Sequence, residues 1–521
     1  MKRAEMPPET SPETLGPLRR EEKTKSMTRI TRPLFAALIV FMACASPSYP
    51  ATKPLEEVKR LENRAVRLLQ AGQPATALPL LRRSLAIIKK NLGPGHLRFA
   101  QILNNVAMIH QSLKQYKKAR PLFDRSLRIR IEALGPEHPS VAVALNNLGG
   151  FHQALGQLKT AGKLFRRALA IREKALGPGH IKTGFSLKIL ADVYRLQRKF
   201  GQAELLYRRA LAVFDKKLPP THPRTAYILE KLSLTYHAQR KFKPSEPLLR
   251  RLLAIQEKTL GREHLAISKT LSNLGVVLQT QGQLQKSEVF LRRSLSITRK
   301  NLGPRHLAIA QNLNNLAENM RLQKRYKEAE RHHLASLIMR EKILGPESPQ
   351  VIFSLNNLAG LYMLQRRFND AEPILKRVLG IFEIALGSKN ARVAASLRHL
   401  GELNRMKGEF KKAENFHRRA LDIREKMFGA TDLRVAQSLH NLANVLIFQV
   451  RPDKFRQAEK LLHRVFQIRE KTLGPTHPSV TRVLDNLVLL YKLRDKDPRD
   501  FKNLAKAIRK KIAAPRKRAK P

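Results

Sequence analysis

One spacing governs what this chain can fold into. A leucine stands at Leu61, Leu103, Leu145, Leu187, Leu229, Leu271, Leu313, Leu355, Leu397 and Leu439, a step of 42 residues each time, and again at Leu484 after a step of 45. A fixed period of this length means stacked supersecondary units: one such unit cannot bury its own apolar face and does so only against its neighbours. Four residues after each of the first ten leucines comes a small residue: Ala65, Ala107, Gly149, Ala191, Ser233, Gly275, Ala317, Ala359, Gly401 and Ala443. A second small slot is always Ala or Ser, from Ala77 and Ala119 through Ser245 and Ser287 to Ala458, and eight residues on an apolar slot runs from Leu85 to Phe466.

The spacing inside each unit is helical. Leu103, Val106, Ala107 and His110 follow i, i+3, i+4, i+7, and so do Ala203, Leu206, Tyr207 and Ala210. Each unit therefore predicts two antiparallel helices, A and B, which approach most closely where the small residues lie. The array is expected over residues 58–492, as ten repeats and the start of an eleventh, with the three extra residues near Val450-Arg451-Pro452 assigned to the turn inside repeat ten.

The joint between units reads Leu134-Gly135-Pro136-Glu137-His138-Pro139 in its clearest copy. The glycine recurs at 93, 177, 261, 303, 345, 387, 429 and 474, with Pro219 as the exception, and fits a left-handed position that stops helix B. Histidine follows three residues later at His96, His138, His180, His222, His264, His306 and His477. Histidines at fixed spacing suggest metal ligands, but the same slot holds Ser348, Asn390 and Asp432 in other repeats, and these are strong N-cap residues. Proline follows at 139, 223, 349 and 478, the favoured first helical position. The slot is read as the start of the next helix A, and no metal or cofactor is called for.

The ends differ from the array. Residues 1–26 form a polar leader ahead of Met27, which is a candidate start; residues 27–45 carry Arg29 and Arg32, an apolar run from Leu34 to Ala45, and the small-x-small pattern Ala43-Cys44-Ala45. That order matches a secretory signal peptide. The apolar run is shorter than the ~20 residues of a membrane span. Export is expected, with an uncleaved or Cys44-lipidated membrane anchor as the alternatives. A linker is assigned to 46–57, an amphipathic capping helix to 493–513, with Phe501, Leu504, Ala505, Ile508 and Ile512 on one face, and a basic tail to 514–521. Cys44 is the one cysteine, so no internal disulfide framework exists.

Leu-Asn-Asn-Leu-Ala/Gly, then a small residue, then Arg-Ala-Leu-x-Ile-Arg-Glu-Lys-x-Leu-Gly-Pro-x-His resembles the tetratricopeptide repeat in the 42-residue form of kinesin light chains; Leu145 to Gly149, Ala161, and Arg167 to His180 carry it in repeat three. The resemblance spans about residues 58 to 513. It implies an all-α, right-handed α-solenoid with helix A lining a concave groove and helix B outside, and a scaffold for protein–protein interaction. The chain departs from kinesin light chains in lacking an N-terminal heptad coiled coil. No glycine-rich phosphate loop, His-Glu-x-x-His or cysteine pair is present, so no enzyme activity is expected.

The resemblance points to a peptide-binding groove. One helix-A slot is Asn105, Asn147, Asn273, Asn315, Asn357 and Asn441, with Asn63 and Asn486 at the ends; an amide can pair with a peptide backbone of any sequence. Packing between repeats is the other role open to these residues. Lys188, Arg195, Arg321, Arg398 and Arg405 lie on the same helices and favour an acidic peptide or protein partner. A second candidate surface is a ladder on helix B: Arg167, Arg209, Arg251, Arg293, Arg377 and Arg419, with Arg83, Arg125 and Arg464 beyond. With 100 Lys+Arg against 41 Asp+Glu, a formal net charge of +59, the ladder is an alternative track for an anionic polymer, nucleic acid or an envelope polyanion. A solvated outer face is its other reading.

Overall fold

The computed structural model describes residues 53–494 together with 499, 503, 505, 506 and 509. The leader, the apolar segment, the basic tail and linker residues 46–52 lie outside them; linker residues 53–57 open the first helix, Lys53–Gln70. Every regular element among the described residues is a helix, and A and B alternate along the whole array. In repeat three, helix A is Pro139–Ala154 and helix B is Leu158–Leu176. The chain divides into two compact units between Thr259 and Leu260. In the first, each helix from Lys53–Gln70 to Pro223–Ala238 packs on its neighbours in sequence; in the second the same holds from Leu265–Thr280 to Pro478–Leu493. This neighbour-on-neighbour stacking is that of an α-solenoid.

The slots read from the sequence are the core. Phe165, Leu187, Tyr207, Phe214 and Ile228 are buried together in the first unit; Leu439, Leu446, Leu462, Leu484 and Leu487 are in the second, where Ala505 of the expected capping helix joins them. Truncating a buried phenylalanine such as Phe165 to Ala would cost about 3–5 kcal/mol. The small slot is a close approach between A and B of one repeat. A Cβ on Gly149 would lie 2.5 Å from the Phe165 ring, one on Gly275 2.7 Å from Leu291, and one on Gly401 2.6 Å from His417.

The joints differ from expectation in one respect. Gly135 has φ +79° and ψ 160°, and Gly429 has φ +80° and ψ 159°. This is the extended mirror-image region rather than the left-handed helical one, and it is open essentially only to glycine. The chain then turns over Pro136 and Glu137, with the His138 N–H directed back at the Gly135 carbonyl at 3.5 Å, before the next helix A starts. The repeat with Pro219 ends differently, at Leu218 with φ −125° and ψ 154°. After the joint the histidine slot caps helix A. The backbone N–H two residues on donates to Nδ1 of His96, His138, His180, His222 and His306 at 3.1 Å, and to Nδ1 of His264 and His477 at 3.2 Å. Asn390 and Asp432 cap in the same way, at 2.9 and 2.8 Å. Ser348 is the departure: its bond from the Gln350 N–H is 3.4 Å long, and helix A begins only at Ile352.

The turns inside repeats hold a feature the sequence reading passed over. Each contains a residue with positive φ, and at six of them it is not glycine: Lys114, Arg198, Arg240, Lys324, Arg366 and Val450. The Gln115 N–H returns to the His110 carbonyl at 2.8 Å and the Lys114 N–H to Gln111 at 3.0 Å, the paired bonds that close a helix over a left-handed residue. The extra residues of repeat ten do not enlarge this turn. Helix B starts in register at Pro452 and runs 22 residues to Leu473, against 19 in repeat nine, so the insertion is absorbed as nearly one helical turn. In repeat five helix B is short, Ser245–Leu260, because Pro244 holds the residue before it out of the helical region.

Candidate partner-binding face

The asparagine slot lies on the partly exposed side of helix A, and several of its amides reach back one repeat. Asn147 Nδ2 donates to Asn104 Oδ1 at 2.9 Å, Asn315 Nδ2 to Ser272 Oγ at 2.8 Å, and Asn486 Nδ2 to Asn444 Oδ1 at 2.7 Å. Asn441 Oδ1 accepts from Gln437 Nε2 at 2.8 Å within its own helix. Asn105 is buried. Asn273 and Asn357 are half-buried and have no hydrogen-bond partner among the described residues. The slot thus includes amides engaged between repeats and amides with open valences.

The cations of the same face are mostly matched. Arg321 pairs with Glu318 one turn earlier, Nε to Oε2 at 2.8 Å, and Arg405 pairs with Glu402 at 2.9 Å; hydrogen bonding to these carboxylates raises both guanidinium pKa values. Lys188 meets Asp192 at 2.7 Å and lies over the Tyr227 ring at 4.3 Å. Asp192 also accepts from the Tyr207 hydroxyl at 2.5 Å and the Tyr227 hydroxyl at 3.0 Å; burial, and then the Asp192 charge, drive both phenols upward. Arg195 reaches the same cluster, and its buried Nε has no hydrogen-bond partner. So Lys188 and Arg195 stand together in repeat four, where Ile189 replaces the asparagine. Arg398 Nη2 lies 2.6 Å from His399 Nε2.

The helix-B ladder has acidic partners, but in the neighbouring repeat. Arg251 holds Asp215 through Nη1 and Nη2, at 2.9 and 2.6 Å, across 36 residues. Arg209 pairs with Glu173, and Arg419 with Glu383, at that same separation. Arg377 meets Glu341 and Arg464 meets Glu425, each at 2.7 Å, and Arg293 donates to the Arg262 carbonyl at 3.0 Å. The acid comes from the Arg-Glu-Lys tripeptide near the end of helix B or its equivalent. The arginine of that tripeptide is buried and faces the other way, into the first turns of the next helix A. Arg172 Nη1 donates to the Lys182 carbonyl at 3.2 Å and Ser186 Oγ at 2.8 Å, and Arg424 Nη1 to the Arg434 carbonyl at 3.2 Å and Ser438 Oγ at 2.9 Å. Arg167 is exposed and has no acidic partner among the described residues.

A third row was not anticipated. In the second unit, after Thr280 in its first helix A, the last turn of helix A carries Leu322, Leu364, Met406, Phe448 and Leu493, spaced by the repeat and 39%, 48%, 36%, 49% and 47% exposed. Phe448 stacks on Phe410 at 5.8 Å, with the Arg405 guanidinium 5.4 Å from its ring centre. In the first unit the slot holds Gln70, Ser112, Ala154, Leu196 and Ala238. The signal was in the sequence, as one more 42-residue column, but an apolar column in a helix reads as core until exposure is known.

The tetratricopeptide repeat profile matches overlapping segments from 98 to 216 and from 224 to 454, and a second profile of the same repeat matches 59–98 and 435–479. The chain belongs to the tetratricopeptide repeat family. Among curated proteins none matches it. Tetratricopeptide repeats of solved structure do. The kinesin light chain nearly identical repeats of Podosopora anserina are 27% identical, over 39% of this chain and 97% of that one, with a TM-score of 0.36. BtubC from P. vanneervenii is 25% identical over 47% and 92%, with a TM-score of 0.38. YrrB, a tetratricopeptide repeat protein with an unusual peptide-binding site, is 14% identical over 41% and 92%, with a TM-score of 0.31. Tetratricopeptide repeats generally support protein interaction, and this chain has the repeats of such a scaffold. Among the described residues no cluster of three His, Cys, Asp or Glu could hold a metal, and no helix is long and apolar enough to cross a membrane.

Proposed function

We propose that the second unit holds extended, acidic peptide segments of partner proteins along its helix-A face, and that the protein acts outside the cytoplasm. The observation that carries the peptide reading is the row Leu322, Leu364, Met406, Phe448 and Leu493: large apolar side chains left in water at one slot of consecutive repeats. Exposed apolar side chains grouped into large patches mark interaction sites, whereas single scattered ones do not. The half-buried Asn357 amide, on the helix that ends at Leu364, supplies backbone recognition. Acidic character of the partner rests on the +59 net charge, since Arg321 and Arg405 already hold carboxylates. Export rests on residues 27–45 alone.

A polyanion track along the entire ladder is less well supported, because Arg209, Arg251, Arg377 and Arg419 are engaged by Glu173, Asp215, Glu341 and Glu383. The test uses short synthetic peptides in which acidic and large apolar residues alternate, read by fluorescence anisotropy in high salt. The variant Leu364→Ser, Met406→Ser, Phe448→Ser is expected to weaken binding about tenfold or more, the scale of losing central apolar anchors. Equal affinity for the variant, or binding that vanishes in high salt for both proteins, would reject the reading.

A further inference from the structure

Helix B changes character in repeats seven and eight. The slot of the Arg-Glu-Lys lysine holds Lys in eight of ten repeats, from Lys90 and Lys174 to Lys426 and Lys471, but repeat eight has Ile384 there. Ile384 is 75% exposed, the highest value for a large apolar side chain among the described residues. Four residues earlier the column holds Ala86, Ala170, Ala212 and Ala254 in other repeats, but Ile338 in repeat seven and Gly380 in repeat eight. Ile338 is 48% exposed. The ladder arginine of repeat seven is also replaced, by Ala335. These two helices thus present apolar side chains at slots where their counterparts present small residues and cations.

The change coincides with a cleft. An open cleft of about 540 Å³ is lined by Glu341 of helix Tyr326–Leu344, by Pro346 and Glu347 of the joint after it, and by Arg377, Gly380 and Ile384 of helix Phe368–Leu386. Arg377 fixes its shape: Nη1 lies 2.7 Å from Glu341 Oε1, and Nη2 donates to the Pro346 carbonyl at 2.7 Å. A Cβ on Gly380 would meet nothing within 4 Å, so the space beside that residue is free. Ile338 stands one turn before Glu341 on the same helix and flanks the cleft. Lys342 and Glu347 are exposed, and neither has a charged partner among the described residues.

We infer that this face binds a second copy of the chain in a two-fold contact. It goes beyond the peptide reading, since it uses helix B rather than helix A and needs no peptide. Two observations choose the occupant. The first is self-complementarity. One patch holds both a protruding side chain, Ile384, and the free space beside Gly380, and both an unpaired base, Lys342, and an unpaired acid, Glu347. In a two-fold contact residue i meets j and j meets i, so each copy's Ile384 enters the other's cleft and each Lys342 faces the other's Glu347. The second is charge. Copies carrying a net charge of +59 repel wherever cationic faces meet. Helix Phe368–Leu386 has two Lys or Arg against three Asp or Glu, and no other described helix has more acids than cations. At physiological salt only charges within about 8 Å of a contact count fully, so two copies can close together here. A foreign acidic partner is drawn elsewhere, for example to helix Leu284–Leu302 with five cations against one acid.

The experiment is sedimentation velocity of the full chain from low to high micromolar concentration. A patch of this size predicts a weak, concentration-dependent dimer. Ile384→Lys with Ile338→Ala installs residues that other repeats carry at these exposed slots, so the fold is expected to be kept. The dissociation constant of that variant is expected to rise about tenfold or more, the effect of removing central apolar anchors. Val289→Lys makes the same kind of change at a site of the same unit that is 66% exposed and outside the patch, where repeat three has Lys163, and is expected to leave the dimer intact. Glu347→Lys alone and Lys342→Glu alone are each expected to weaken the dimer. The two together are expected to restore it, because the exchanged pair again joins opposite charges. A monomer at every concentration overturns the proposal, and so do equal dissociation constants for the patch variant and Val289→Lys. Open-ended growth beyond the dimer, or a double charge variant no better than the single ones, also overturns it.

Discussion

At the scale of single residues, the joints are where backbone conformation decides. Gly135 has positive φ with extended ψ, and nothing lies within 4 Å of the place a Cβ would occupy. Gly135→Ala therefore meets strain and no collision, and it is expected to destabilise the first unit by about 1–3 kcal/mol, read from urea unfolding. Full stability in that variant would mean the joint relaxes to negative φ. Val450 presents the reverse case: a β-branched residue at φ +49° and 68% exposed. Val450→Gly is expected to stabilise the second unit by on the order of 1 kcal/mol, since it relieves a conformation that β-branched side chains resist. The small slot and the histidine cap were legible because each needs only one kind of side chain. The mirror-extended glycine was not, because sequence gives the need for positive φ but not the value of ψ.

At the scale of elements, the Arg-Glu-Lys tripeptide is a two-way fastener. Its arginine holds the helix ahead and its glutamate holds the helix-B arginine of the following repeat, as Arg172 and Glu173 do. The two bonds differ in strength. The Arg251–Asp215 pair is more than a third exposed on both sides, so a double-mutant cycle is expected to give a coupling of about 1 kcal/mol or less, falling with salt. Arg424 is 4% exposed and donates to a carbonyl and to Ser438; Arg424→Met is expected to cost about 1.5–3 kcal/mol because hydrogen bonds to a charged donor are lost and buried acceptors are stranded. A larger effect at Arg251 than at Arg424 would reverse this order. The helix pairs were legible from periodicity alone. The fastener was not, since searching for partners four residues away within a helix cannot find an acid 36 residues away. The same limit concealed the exposure of the Leu322 row, which no single helix reveals.

At the scale of the whole molecule, charge and protonation set the working range. Burial keeps His333 and His417 neutral, with pKa pushed down to about 4, the cations Arg321 and Arg398 adding to the effect; His440 is likewise pushed down to about 4. An unfolded histidine titrates at about 6.5. Between these values the unfolded chain takes up protons that the folded chain refuses, so stability is complete above about pH 6.5 and is lost as the pH falls toward 4. Each fully buried histidine contributes on the order of 3 kcal/mol to that loss. The thermal midpoint of the second unit is expected to fall steadily over this window, and His417→Phe, which copies Phe123 and Phe165 at the same slot, is expected to flatten the fall. A midpoint unchanged down to pH 4.5 would mean these rings find water or acids when protonated. The fasteners that join each repeat to the next carry one further consequence. Every bond they make is settled between adjacent repeats, so no repeat records how many others there are. The number of repeats is thus not fixed by the interfaces themselves; adding or removing a whole copy changes the reach of the binding face while leaving each remaining interface as it was.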